Sequence, residues 1–225
     1  MKQKYLIFDA GPIISMTMSG MLPILEKLNK EFKGEFILTP EVKKEVVDKP
    51  LKIKKYKLEG IEVQNLINKG VLRMSSKFIP DSQLAKHTNK IMKLANSSFK
   101  VDGQSIKLIH RGEASCLAFS QLCKSEKNLI VIDERTTRML AEAPEKLKNL
   151  MERKLHVKIK IEKQKIEKFK NFRFIRSTEL VYIAYKKNLF DLKKDKNLLD
   201  ALLYSLKFKG TAISSREISE IKNLV

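Results

Sequence analysis

Five acidic residues stand where chain elements are expected to begin or end. Asp9 follows the apolar run 5–8, and Asp133 and Glu134 follow the run 129–132. Short apolar runs of this kind read as buried strands of a parallel sheet. In open parallel sheets, sites form beyond the carboxyl ends of the strands, so two such ends would bring these acids to one rim. Glu45 lies in a helix expected after Thr39-Pro40-Glu41. Thr39 suits its cap, Pro40 its first position and Glu41 its positive end. Glu113 lies in the first turn of a helix expected over 112–123, and Cys116 and Leu117 share its face. Carboxylates gathered in one pocket repel each other and remain ionised only beside cations. Oxygen-only ligands select hard ions such as Mg²⁺ or Mn²⁺. Such ions polarise a phosphodiester and acidify a bound water.

Each acid also has an ordinary reading. Asp9 can cap a helix opened by Pro12, and Asp133 one that starts near Arg135. Glu41 and Glu142 read as solvated helix residues. Taken singly, the ordinary reading is preferred; the joint placement favours chemistry.

The elements that must position these residues alternate. Strands are expected at 5–8, 35–38, 71–74, 129–132 and 172–175. Helices are expected after Pro12, and over 21–32, 39–48, 58–68, 83–95, 112–123 and 135–142, with Pro144 breaking the last. Amphipathic patterns follow at 178–187, 198–208 and 215–223. The alternation predicts an α/β fold with a mainly parallel central sheet. Residues 1–145 form its expected core, and residues 146–225 complete or extend the same domain.

The chain has 225 residues, 43% of them hydrophobic, and a formal charge of +20. That is long enough for one substantial core, and the charge attracts polyanions, RNA or DNA first. A lysine-loaded surface serves solubility equally well. Cys116 and Cys123 lie seven apart on one expected helix, too far for a disulfide and without a zinc-ligand partner. They read as buried thiols in a reducing compartment. No segment has the length of a membrane span and the start shows no signal-peptide core, so a cytoplasmic protein is expected. His87, His110 and His156 have no partner at catalytic spacing.

The stretches YLIFDAGPIISM (5–16), LTPEVKKEV (38–46), HRGEASCLAFSQ (110–121) and LIVIDERTTRMLAE (129–142) resemble the PIN-domain nucleases. The last two are most similar to the branch with a "GEA" helix and an "IDER" strand end. Segments 176–190 and 198–214 are similar to that branch's tail. The resemblance implies a three-layer α/β/α fold with a helical C-terminal extension. It implies endoribonuclease activity with Mg²⁺ or Mn²⁺, catalytic acids Asp9, Glu45, Glu113 and Asp133, and Glu134 as an adjacent metal candidate. Asn at position 9 or 133 would then abolish cleavage and spare the fold. RNA is the implied substrate. An antitoxin or other protein partner and a homodimer are compatible with the toxin-type relatives. Residues 75–110 and 146–173 depart from the family core as an insertion and a basic elongation.

Arg135 and Arg138 follow the strand-end acids and suit either phosphate or a structural pairing. Thr136 reads as the cap of their helix. Lys163, Lys165 and Arg173 belong to a basic stretch over 158–176, interleaved with Phe169, Phe172 and Phe174. Its lysines suit salt-dependent phosphate attraction; its phenylalanines suit the core better than base stacking.

Overall fold

A computed structural model describes residues 4–123 and 128–224. The first half runs β1 (Tyr5–Phe8), α1 (Ala10–Met18), α2 (Ile24–Glu31), β2 (Glu35–Leu38), α3 (Pro40–Lys43), α4 (Lys57–Asn68), β3 (Arg73–Met74) and α5 (Asp81–Asn96). Then come β4 (Phe99–Val101), β5 (Gln104–Ser105), α6 (Arg111–Leu122), β6 (Leu129–Val131), α7 (Arg135–Glu142) and α8 (Pro144–Leu155). The last part holds β7 (Lys160–Ile161), α9 (Lys163–Ile166), β8 (Phe174–Ile175), α10 (Ser177–Lys186), α11 (Lys196–Phe208) and α12 (Ser215–Lys222).

Five strands form one parallel sheet in the order β3-β2-β1-β6-β8. The fold is α/β and consistent with three layers, helices about a central sheet. β1 is buried along its whole length, as a central parallel strand must be. Its register decides where the acids go. Phe8 pairs with Leu38 on one side and with Val131 on the other. The three strands therefore end level, and Asp9, Thr39 and the Ile132-Asp133 pair emerge along one rim. The amide of Asp9 donates to the Val131 carbonyl at 3.0 Å, which carries the ladder one residue further.

The C-terminal segment is part of this sheet. β8 pairs with β6 through Ile130–Phe174 and Val131–Ile175, and Phe169, Phe172 and Leu180 join the common core. Phe169 and Phe172 are buried, as the apolar reading of these rings requires.

Two local expectations are corrected. Residues 71–72 are not strand: Val71 and Leu72 both donate to the Leu66 carbonyl, closing α4 through Gly70 at φ +73°. Likewise Phe172 donates to the Phe169 carbonyl in a turn, so β8 starts at Phe174. Pro144 breaks the preceding helix as expected and also opens the next at its first position.

The stretch 75–110 holds more order than expected. α5 packs against α6, and β5-β4-β7 form a small antiparallel sheet. The hairpin turns at Asp102-Gly103, both at positive φ (47° and 81°), a two-residue turn that matches strand twist. No helix among the described residues is long and apolar enough to cross a membrane.

Candidate functional site

Asp9 occupies the N-cap position of α1 in extended backbone, yet its side chain makes no capping hydrogen bond. It is buried, at 6% exposure. Burial first, and then the nearby Glu113 and Glu45 charges, push its carboxyl up to about 8; the amides of Ala10 and Gly11 counter only part of this. The ordinary reading of Asp9 as a helix cap therefore fails.

Glu45 reaches the same place from α3. Thr39 caps α3, accepting from the Val42 amide at 3.4 Å. Residues Lys44–Asp48 then widen into a π-helical turn, with Lys49 donating to the Lys44 carbonyl at 3.0 Å. Such turns are rare and frequent at functional sites. Here the turn carries Glu45.

The third element is α6. A Cβ added to Gly112 would lie 3.2 Å from Glu45 Oε1 and 3.4 Å from Asp9 Oδ1. The two carboxylates thus converge on one point that only glycine leaves open. Beneath it, Thr39 and Ser115 share a hydrogen bond of 2.6 Å and Ser115 donates to the Gly112 carbonyl at 2.7 Å, tying α3 to α6. Arg111 adds a second tie, to Glu41 at 3.1 Å and Asn89 at 2.8 Å. Glu41 is consequently not a solvated residue. Burial alone would raise its carboxyl, but the Arg111 contact outweighs that and lowers it.

Glu113 is bent back on its own helix, where Oε2 accepts from the His110 amide at 2.6 Å. Burial, and to a lesser degree Glu134, raise its carboxyl; the His110 amide and ring oppose this. Cys116 lies below, its thiol against the Phe8 carbonyl at 3.4 Å. Burial and the Asp9 and Glu113 charges hold this thiol well above its ordinary range, so it stays inert. Cys123 is only half-buried, because the chain leaves α6 there.

Asp133 stands beside Asp9: a Cβ on Gly11 would lie 3.8 Å from Asp9 Oδ2 and 3.9 Å from Asp133 Cβ. Its surroundings are the reverse. Oδ1 accepts from the Ser177 amide at 2.8 Å. Oδ2 accepts hydroxyl bonds from Ser177 at 2.8 Å, Thr211 at 2.9 Å and Ser15 at 3.2 Å. Asp133 clasps the C-terminal segment to the rim. None of those three hydroxyls stood out in the sequence; only the position of Ser177 at a helix start could have pointed to one. Asp133 does not cap α7. Glu134 does, accepting from the Thr137 amide at 2.7 Å, and Thr136 has no capping role.

The basic residues are not gathered at this rim. Arg135 is exposed at the start of α7. Arg138 turns inward, lining a cavity of about 370 Å³ with Glu142, Arg176 and Glu179. Its Nε is buried without a hydrogen-bond partner. Lys165 donates to the carbonyl and hydroxyl of Ser97 at 3.0 and 2.9 Å, a structural tie. Lys163 lines an open cavity of about 810 Å³ on the small sheet, with Lys100, Lys148, Lys158 and Lys160. Arg173 precedes β8 and so lies toward the N-terminal end of the strands, away from Asp133 at their C-terminal end.

Among the described residues, no three His, Cys, Asp or Glu side chains already stand close enough together to hold a metal ion. Asp9 and Glu45 nevertheless suit a hard cation, being oxygen ligands that converge on one point beside Gly112. Mg²⁺ commonly takes only one or two protein carboxylates and fills its shell with water and phosphate. No protein-family profile matches the chain, and no curated protein or solved structure is significantly similar to it.

Proposed function

We propose that the chain is a PIN-like endoribonuclease that works with Mg²⁺ or Mn²⁺ at the rim formed by Asp9, Glu45 and Glu113. The observation that carries this reading is the buried Asp9 carboxylate, which makes no helix-cap hydrogen bond and converges with Glu45 on Gly112. Such an arrangement is unfavourable for folding alone and becomes favourable when a cation neutralises it. A bound divalent ion supplies polarisation of the phosphodiester and acidification of water.

The chain's own residues do the rest. Asp9 and Glu45 hold the ion, one fixed at a strand end and the other on the π-helical turn. Glu113 releases the His110 amide and turns its carboxylate toward the rim. Asp133 keeps one lone pair free on Oδ1 and acts mainly by holding Ser177 and Thr211 against the site. Glu134 caps α7 near Glu113, where its charge is felt, and would have to release the Thr137 amide to join the site. The +20 charge draws RNA in, and Lys163 with Lys148, Lys158 and Lys160 gives one lysine-rich surface, partly offset by Asp102, Glu145 and Glu162.

One observation favours a second reading, a non-catalytic RNA-binding protein of the same fold: Glu113 and Glu134 are both engaged in helix caps. Mn²⁺ titration separates the two. The nuclease reading expects Mn²⁺ to raise the melting temperature of the wild type, not of Asp9→Asn, and to support cleavage of single-stranded RNA. RNA binding without either response would establish the second reading instead.

A further inference from the structure

An apolar cavity of about 330 Å³ adjoins the acidic rim, and Glu45 belongs to both. α1 contributes Ile14 and Met18, the turn after the π-helix contributes Ile53, and α4 with its approach contributes Tyr56 and Glu59. Ile14, Met18, Ile53 and Tyr56 are all solvent-exposed. Four large apolar side chains rarely meet at an exposed concavity without a ligand. The wall opposite α1 is held closely: a Cβ on Gly60 would lie 3.1 Å from Pro50 Cβ and 3.2 Å from the Leu51 amide. The cavity is therefore built into the packing of α4 on the 50–51 turn.

One polar atom in it has no partner. Glu59 Oε2 is buried and accepts no hydrogen bond. Burying a carboxylate oxygen in apolar surroundings is costly unless a donor arrives. An ionised carboxylate only accepts. Lys49 also lines the cavity; a flat ligand that lies against Tyr56 and presents N–H groups at its edge would supply the missing donor.

We propose that this cavity takes an unpaired guanine base of the RNA next to the scissile phosphate. The inference rests on the ribonuclease reading and assigns it a base preference. Among the four bases, guanine alone presents two adjacent donors, N1–H and N2–H, on its pairing edge. These match the two oxygens of one carboxylate. Adenine and cytosine each place a ring acceptor beside their amino donor, and uracil flanks its single N–H with carbonyls. Each would set a lone pair against Glu59. The tyrosine ring supplies a stacking face that any base can use, so Tyr56 gives affinity and Glu59 gives choice. With Glu45 shared between cavity and rim, a base seated here leaves its own phosphate beside Asp9.

The test uses the full chain in metal-free buffer with EDTA, so that binding is read without cleavage. Guanosine, adenosine, cytidine and uridine 5′-monophosphates are titrated by calorimetry and by methyl NMR. GMP is expected to bind at least about tenfold tighter than the others, with shifts at Ile14, Met18 and Ile53. Glu59→Gln is expected to lower GMP affinity about tenfold and level the four nucleotides. Its melting temperature should not fall, because Glu59 has no partner to lose. Tyr56→Ala should weaken all four alike. Equal binding of all four, GMP preference retained in Glu59→Gln, shifts confined to other residues, or self-association that closes the cavity would each overturn the assignment. If RNA is cleaved with Mn²⁺ but no guanine preference appears, only this inference falls. If GMP binds selectively and no cleavage occurs, the nuclease reading falls and the base site stands.

Discussion

Asp9 and Asp133 follow neighbouring strands and face each other across Gly11, yet they are opposite in kind. Four donor contacts converge on Asp133, from Ser15, the amide and hydroxyl of Ser177, and Thr211. None caps Asp9, and its carboxyl is pushed up to about 8. A buried carboxylate with several donors is stabilising and specific. One in which burial and like charge outweigh its amide contacts destabilises the fold that holds it. The difference separates a carboxylate that ties the chain together from one that, on the proposed nuclease reading, a cation would neutralise.

The largest expected effect comes from breaking the unsatisfied side. Asp9→Asn should lower Mn²⁺-dependent RNA cleavage roughly 10²–10³-fold and abolish the rise in melting temperature that Mn²⁺ brings. It should also change the pH dependence of the metal-free protein. With the folded pKa of Asp9 raised above its unfolded value, its neutral form favours folding at low pH. That advantage is lost progressively from about pH 4 to about pH 8. Thermal melts across this range should show the loss in the wild type and a flatter response in Asp9→Asn. Identical curves would mean that Asp9 is not under strain.

On the satisfied side, Asp133→Asn should cost about 1–3 kcal/mol of folding stability, because its amide turns donors toward donors. The expectation that this substitution spares the fold is thereby replaced. Urea unfolding measures it, and a variant as stable as the wild type would remove the clasp from Asp133.

The two glycines sharpen the contrast at smaller scale. Gly112→Ala places a methyl 3.2 Å from Glu45 Oε1 and 3.4 Å from Asp9 Oδ1, and should weaken Mn²⁺ binding roughly tenfold. Gly11→Ala meets only ordinary contacts of 3.8 and 3.9 Å within α1. It should leave Mn²⁺ binding unchanged and raise stability by about 0.5 kcal/mol. Calorimetric Mn²⁺ titration of both decides. The smallest effect is expected of Arg111→Ala. Its exposed pairing with Glu41 contributes within about 1 kcal/mol to stability, while loosening α6 should still reduce cleavage measurably in single-turnover assays.

Much of the frame was legible in the chain. β1 and β2 were readable from their apolar runs, and α3 from Thr39-Pro40, because these signals are local. The Asp102-Gly103 turn is equally local, and its dipeptide is a sign of the hairpin that the sequence carries. The ends of β3 and β8 were misjudged because residues 71–72 and Phe172 bond backward into turns, a competition that apolar character does not reveal.

The site divides in the same way. Residue order alone determined that Asp9 and Asp133 would stand at strand ends and that Glu45 and Glu113 would ride on helices. Only the tertiary structure decided which carboxylate is satisfied. That outcome depends on Ser177 and Thr211 arriving from 44 and 78 residues away along the chain, and on Gly112 holding an open space above Asp9 and Glu45. Periodicity reports the face on which a side chain begins. The donors it meets there are set by the folding of distant segments onto one rim.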